Sequence, residues 1–334
     1  MLHTRATRSL GVHILDPVHA TLVPVKQEYV LSTTMDYSDP NAFTLPYQLT
    51  KKIRRDVYPL LQPTQPELSA KGKTVLITGV SGGIGKAIAE SWVTAGASGV
   101  VITGRKVDVL EGVATRLRSL APEPSTKVLA HAVDITNEAS VAALFAAAKE
   151  AVGKVDVLVH SAGSLEGGAI GAVDATTFFN DFQVNVLGSY LVLQHFLAQA
   201  DGVGTVISFT TGAIGSVFPG MGGYTASKLA LVRIMENLHA EHQGIRVFSL
   251  MPGIVLTGMT VDSLRPYAKD SAALSGSWTL FLSTPRAEWM RGGLLSVNWD
   301  IEEMEAHKDL IVGDNLLSRA FLNAKLGKDG HPWT

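Results

Sequence analysis

The chain has 334 residues, 46% of them hydrophobic and 17% charged, with a formal net charge of -2. That length and apolar share can bury a large core, in one large α/β domain or two smaller ones, and the near-neutral balance lacks the basic excess of a nucleic-acid or membrane-surface binder. With no cysteine, disulfides, thiolate zinc sites and cysteine nucleophiles are excluded, and no apolar run approaches the ~18 residues of a membrane span.

Residues 1–34 carry Arg5 and Arg8, no acid before Asp16, and scattered Ser and Thr. This is a faint mitochondrial-targeting pattern; the plainer reading, adopted here, is a disordered leader on a cytoplasmic protein. Residues 35–70 hold Pro40, Pro46, Pro59, Pro63 and Pro66 and read as an extended arm with at most one short helix, near 47–58. Lys51, Lys52, Arg54 and Arg55 there read as a solvated basic face. Tyr47 and Lys51 share a spacing of four that recurs downstream.

From Lys71 the texture changes. Short β-branched runs at 73–79, 99–104, 127–134, 155–163, 204–211 and 245–253 alternate with helical apolar spacing at 84–97, 107–121, 138–152, 174–200 and 223–242. Residues 292–300 read as one more strand. Alternating strands and helices predict a Rossmann-type, doubly wound parallel β-sheet flanked by helices on both faces, a single α/β domain over 71–300. Residues 301–334 are expected outside the sheet, as a tail wrapping the domain or a partner subunit. In such sheets ligands bind beyond the carboxyl ends of the strands, and those ends are rich in Gly, Ser and Thr here.

The first strand runs into Gly79, Ser81, Gly83, Ile84 and Gly85 before a helix. A backbone without Cβ lets a pyrophosphate approach, and the helix N-terminus offers free N–H groups. Downstream, Tyr224 and Lys228 lie one helical turn apart. Hydride transfer to a carbonyl leaves an alkoxide that needs a proton, and a phenol with pKa ~10 is a weak acid for that task. An ammonium ~5 Å away at an effective dielectric of ~20 favours the phenolate by about 3 kcal/mol, or roughly two pKa units. The pair is therefore a candidate general acid/base.

The order Thr78-Gly79-x-x-x-Gly83-x-Gly85, then Asp134, Ala162-Gly163, Asn185, Tyr224-x-x-x-Lys228 and Pro252-Gly253 resembles the short-chain dehydrogenase/reductase family over residues 72–300. The resemblance implies a catalytic set of Asn185, Thr211 (where the family has serine), Tyr224 and Lys228. Asn185 would hold a water that links Lys228 to solvent. Lys228 would also bond the nicotinamide ribose, Asp134 would meet the adenine, and Val255 and Thr257 would hold the carboxamide. Ser161 and Gly163 belong to the same cofactor shell. His160 and Ser161 stand where the family has two asparagines, and His160 reads as a packed strand residue. The second strand ends at Arg105 rather than the acid that NAD-preferring members use, and a guanidinium suits a 2′-phosphate; the cofactor expected is NADP(H).

Phe218 and Met221 read as substrate contacts, and Trp278, Phe281 and Leu282 as core. The substrate implied is a hydrophobic carbonyl or alcohol, with no metal and no nucleic-acid partner. The arm and tail resemble filamentous-fungal members, many of them in secondary metabolism, and family habit implies a homodimer or homotetramer. Two rival readings are an isomerase, dehydratase or cyclase on the same scaffold and a non-enzymatic NADP-sensing module.

Overall fold

Seven strands, β1 (Thr74–Thr78), β2 (Gly99–Gly104), β3 (Lys127–Ala132), β4 (Val157–His160), β5 (Gly204–Phe209), β6 (Ile245–Met251) and β7 (Leu294–Ser296), form a single sheet in the order β3-β2-β1-β4-β5-β6-β7. Every neighbouring pair is parallel. The computed structural model describes residues 38–318; the leader 1–34 and the end of the tail lie outside the described residues. The strand order reverses between β1 and β4, which places a crevice at their carboxyl ends.

Alternation along each strand explains the two-sided core. Val75 and Ile77, Val100 and Ile102, and Val157 and Val159 enter one hydrophobic cluster. Their neighbours Leu76, Val101 and Leu158 enter the other. The period of two in a strand does this without any special residue. On the first face lie α1 (Gly83–Thr94), α2 (Val107–Leu120) and α7 (Ala272–Leu282). On the second lie α3 (Glu138–Val152), α5 (Ser189–Ala200) and α6 (Gly222–Glu241). Trp278 of α7 is fully buried, with its indole N–H donating to the Val297 carbonyl at 3.0 Å. Phe281 and Leu282 are buried with it, so this stretch is core as expected.

Two local expectations change. Residues 174–200 do not form one regular helix: α4 (Ala175–Phe182) passes through a π-helical segment, Gln183–Gly188, before α5. Gly188 lies so close to Ile135 that a Cβ there would come within 2.7 Å of its side chain.

The arm is extended as expected, but its basic run is solvated only at Lys51 and Lys52. Only short 3-10 turns form, Leu45–Tyr47, Pro59–Leu61 and Pro66–Leu68, each with proline at its start. Around 54–55 the backbone bonds to distant segments: the Arg54 N–H donates to the Asn298 carbonyl, and the Ser271 N–H to the Arg55 carbonyl. The Arg54 guanidinium pairs with the buried carboxylate of Asp300, and Arg55 with the buried Asp270 at 2.8 Å. Two buried carboxylates thus draw Arg54 and Arg55 inward, because an unpaired charge there would be costly.

The tail folds back as well. α8 (Ile301–Ala306) is capped by Asp300, which accepts from the Glu303 N–H at 2.8 Å, and α9 (Lys308–Gly313) follows. Ile301, Met304 and Ile311 join the first core cluster. No helix among the described residues is long and apolar enough to cross a membrane.

Candidate active site

Tyr224 and Lys228 occupy the first turns of α6, both buried. Small neighbours let that helix sit close: a Cβ on Gly223 would come within 2.8 Å of the Phe178 carbonyl. The Lys228 ammonium donates to the Phe209 carbonyl at the end of β5, at 3.0 Å. Thr211, two residues beyond β5, caps the 3-10 turn Gly212–Gly215, accepting from the Ala213 N–H at 3.2 Å. Its hydroxyl also bonds the Tyr224 phenol.

Asn185 lies in the π segment and is fully buried. Its Oδ1 accepts from the Ser164 N–H at 2.9 Å, and its Nδ2 donates to the Ser164 carbonyl and the Ser227 hydroxyl, each at 3.0 Å. The side chain thus braces the loop after β4 against α6. Gly163 is wedged beside it. A Cβ there would lie 3.0 Å from Asn185 Oδ1 and 3.3 Å from Lys228 Nζ, so the β4 end, Asn185 and Lys228 are one packed unit.

His160, the last residue of β4, joins this unit through hydrogen bonds. Thr78 Oγ1 accepts from the N–H groups of Ser161 and Ala162, both at 3.1 Å, so its own proton goes to His160 Nδ1 at 3.0 Å. The Ser189 hydroxyl donates to the Asn185 carbonyl at 2.6 Å and so accepts from His160 Nε2 at 2.7 Å. The imidazole is therefore neutral, with its proton on Nε2. Burial, with the nearby Lys228 charge, holds its pKa down to about 3. His160 is a packed strand residue as expected, and it also links the glycine turn at β1 to the backbone of Asn185.

The electrostatics differ from the expectation for the pair. Burial pushes the Tyr224 phenol up to about 12, against the Thr211 hydrogen bond, with the Asp181 carboxylate adding to the rise. Burial likewise pulls Lys228 down to about 8, opposed by Asp181. Losing water dominates both shifts, because each charged form is buried. Asp181 was missed by the sequence reading. It is buried one turn before Asn185, accepts from the Ser164 hydroxyl at 2.7 Å and the Glu166 N–H at 3.1 Å, and has its own pKa raised by burial. Nothing in a single sequence separates it from a surface aspartate.

The cofactor end suits a dinucleotide. Gly79 has φ +77°, and a Cβ on it would lie 2.8 Å from the Ala162 backbone. Gly85 packs against the Gly79 carbonyl, with no room for a side chain. α1 opens at Gly83 with no side-chain cap and no acid in its first turn, leaving its N–H groups for an anion. Ser81 packs its hydroxyl toward Gly104, and Ile84 lines the adjoining cleft. Arg105 follows β2, exposed, with the Asp134 carboxylate its nearby charge. Asp134 accepts from the Thr136 N–H and hydroxyl at 2.9 and 2.7 Å, which hold its pKa below the usual range. Thr257 packs against Gly83, and Val255 accepts from the Thr260 hydroxyl at 2.7 Å. A glycine cradle, an uncapped helix start and a free guanidinium face together fit a nicotinamide dinucleotide.

Tyr224, Thr211, Val255 and Thr257 line one cleft of about 1180 Å³, its open mouth included. Phe218 and Met221 line it, as expected. So do Phe43, Thr44 and Tyr47 from the arm, to which the sequence reading gave no place at the site. Among the described residues no group of three or more His, Asp or Glu could hold a metal ion.

Residues 73–267 match the family model for short chain dehydrogenase. The chain is 31% identical over 256 residues to the short chain dehydrogenase andI of Emericella variicolor, covering 74% of this chain and 88% of that one. It is 32% identical over 288 residues to the short chain dehydrogenase pigC of Monascus ruber, covering 81% and 93%. Among solved structures, a short-chain type dehydrogenase/reductase from Mycobacterium ulcerans superimposes with TM-score 0.64 at 26% identity, covering 75% of this chain and 98% of that one. A 7α-hydroxysteroid dehydrogenase complexed with NADH and 7-oxo glycochenodeoxycholic acid superimposes with TM-score 0.64 at 26% identity, covering 72% and 97%.

Proposed function

The chain belongs to the short chain dehydrogenase family, and from that premise we propose that it is an NADP(H)-dependent oxidoreductase interconverting a hydrophobic ketone or aldehyde and its alcohol. The observation that carries this reading is that Tyr224 and Thr211 line an apolar cleft that Ile84 of the glycine turn also lines, with Lys228 and Asn185 packed around Gly163 on the same helix system.

NADPH, when bound, supplies the hydride. Tyr224 is the proton donor to the oxygen of the reduced carbonyl. With a pKa near 12 it is fully protonated at neutral pH, the state a general acid needs. Thr211, bonded to the same phenol, orients that hydroxyl and offers its own proton to the substrate oxygen. Lys228 is the local positive charge, anchored on the Phe209 carbonyl, and replenishes the phenol's proton. Asn185 holds Lys228's helix against the loop at Ser164, so the two groups keep their register. In this reading it brings Lys228 within reach of solvent through a bound water.

The preference for NADP(H) rests on Arg105. A 2′-phosphate placed after β2 would meet a guanidinium and no acid from this strand end. The fungal relatives and the apolar cleft support a place in fungal secondary metabolism. The exposed Phe179, Leu187 and Tyr190 on α4, the π segment and α5 support a homodimer or homotetramer formed through these helices, in the cytoplasm.

The test is a panel of ketones, aldehydes and alcohols with the full chain, following nicotinamide absorbance with each cofactor. Turnover with NADPH above that with NADH supports the reading. Binding of NADPH with no net oxidation or reduction across the panel would favour a non-redox reaction on the same scaffold.

A further inference from the structure

We propose that residues 41–47, upstream of the sheet, form the wall that receives the substrate's distal portion, and that Phe43, with Phe218 and Tyr267, selects an uncharged ketone carrying a flat ring system. This rests on the oxidoreductase reading above and names the class of molecule the site takes.

Phe43 and Tyr47 line the same cleft as Tyr224 and Thr211. Tyr47 is fitted into the wall just after Thr211. A Cβ on Gly212 or on Gly215 would come within 2.8 Å of its ring, and its hydroxyl lies 2.9 Å from the Ser216 hydroxyl. The arm thus sets the shape of the segment that carries Thr211. The Phe43 ring meets Tyr267 edge-on at 4.7 Å between centroids and 74°, and lies 6.1 Å from Phe218. Two segments distant in sequence therefore bring the rings of Phe43 and Phe218 to one place on the cleft, with Tyr267 packed edge-on against Phe43. Such a cluster presents faces and edges to which a flat ring adds by stacking.

The arm is held in position. Asp270 pairs with Arg55 through one oxygen and accepts from the Ile254 N–H through the other, at 2.6 Å. The Trp299 indole N–H donates to the Tyr47 carbonyl at 2.7 Å. The arm is thereby tied to the loop after β6 that lines the cofactor side of the cleft.

Charge narrows the ligand further. Among the described residues no Asp, Glu, Lys, Arg or His lines the cleft. A phosphate, carboxylate or ammonium on the substrate would be buried there without a partner, at considerable cost. The buried hydroxyls of Thr210 and Ser263, which have no protein partner, lie in the same lining and suit neutral oxygens.

The experiment uses the full chain saturated with NADP⁺ and measures calorimetric binding of 2-tetralone, a bicyclic aromatic ketone, beside 2-butanone. NADPH consumption with both ketones is followed in parallel. Phe43→Ala is expected to weaken 2-tetralone binding at least about 10-fold, the scale of losing a buried aromatic contact. Phe43→Tyr should restore most of it, and NADPH affinity should stay within about twofold in both variants. Unchanged 2-tetralone affinity in Phe43→Ala with NADPH binding intact would overturn the proposal, as would a wild-type protein that does not bind 2-tetralone. If 2-tetralone binds in a Phe43-dependent way but neither it nor the wider panel is reduced, the wall stands and the oxidoreductase reading falls.

Discussion

Replacing His160 with glutamine removes a titrating group from the centre of the molecule while keeping a neutral polar side chain. Burial holds the folded pKa of His160 at about 3 against an ordinary 6.5. The folded state therefore binds fewer protons than the unfolded state between those values, and stability rises with pH across that window. The contribution is fully present above pH ~6.5 and is lost as pH falls toward 3. The whole shift of about 3.5 units corresponds to about 5 kcal/mol. Carboxylates titrate in the lower half of the window, so the informative comparison is pH 7 against pH 5. There the wild type should lose about 2 kcal/mol more than His160→Gln. At pH 7 the variant starts lower by about 1–3 kcal/mol, because Thr78 and Ser189 lose their partner. Urea unfolding at a series of pH values, both proteins in one buffer, reads this directly. Parallel stability curves for the two would refute the assignment of His160 as a neutral, buried link.

Arg105→Asp should reverse cofactor preference, raising KM for NADPH at least about 10-fold while NADH changes little, since a carboxylate repels a 2′-phosphate that a guanidinium binds; equal effects on both cofactors in steady-state assays would remove Arg105 from the site. Arg55→Ala leaves the buried Asp270 carboxylate unpaired and should cost about 3 kcal/mol in urea unfolding; a loss under about 1 kcal/mol would mean that the arm is an ornament rather than a strut.

The sheet and its cofactor turn were legible because each rests on a local rule. Alternation within strands such as 74–78 sorts side chains to two faces, and a glycine that needs positive φ, such as Gly79, stands out in a short turn. The candidate site residues could be named through spacing and order, and the structure brings Tyr224, Thr211, Lys228 and Asn185 close together. What could not be read depends on partners far away in the chain. Arg54 and Arg55 look solvated until Asp300 and Asp270, more than 200 residues later, are seen to be buried against them. Tyr47 and Lys51 share the spacing of Tyr224 and Lys228, and it is Tyr47's position against the glycines that follow Thr211 that the spacing does not reveal. The spacing carried no information in either case; the neighbours did. The direction of the Tyr224 pKa was also out of reach, since Coulomb attraction can be estimated from a spacing and desolvation cannot.

The central claim is that Tyr224 donates the proton in a redox reaction, and Tyr224→Phe tests it most directly. That variant keeps the ring, the packing and the glycine cradle while deleting one hydroxyl. NADPH binding by calorimetry should stay within about threefold of wild type. Turnover of a reducible ketone should fall by about 10²-fold or more, the scale of lost general-acid catalysis. Ketone reduction by the variant at a rate comparable to wild type would contradict the account.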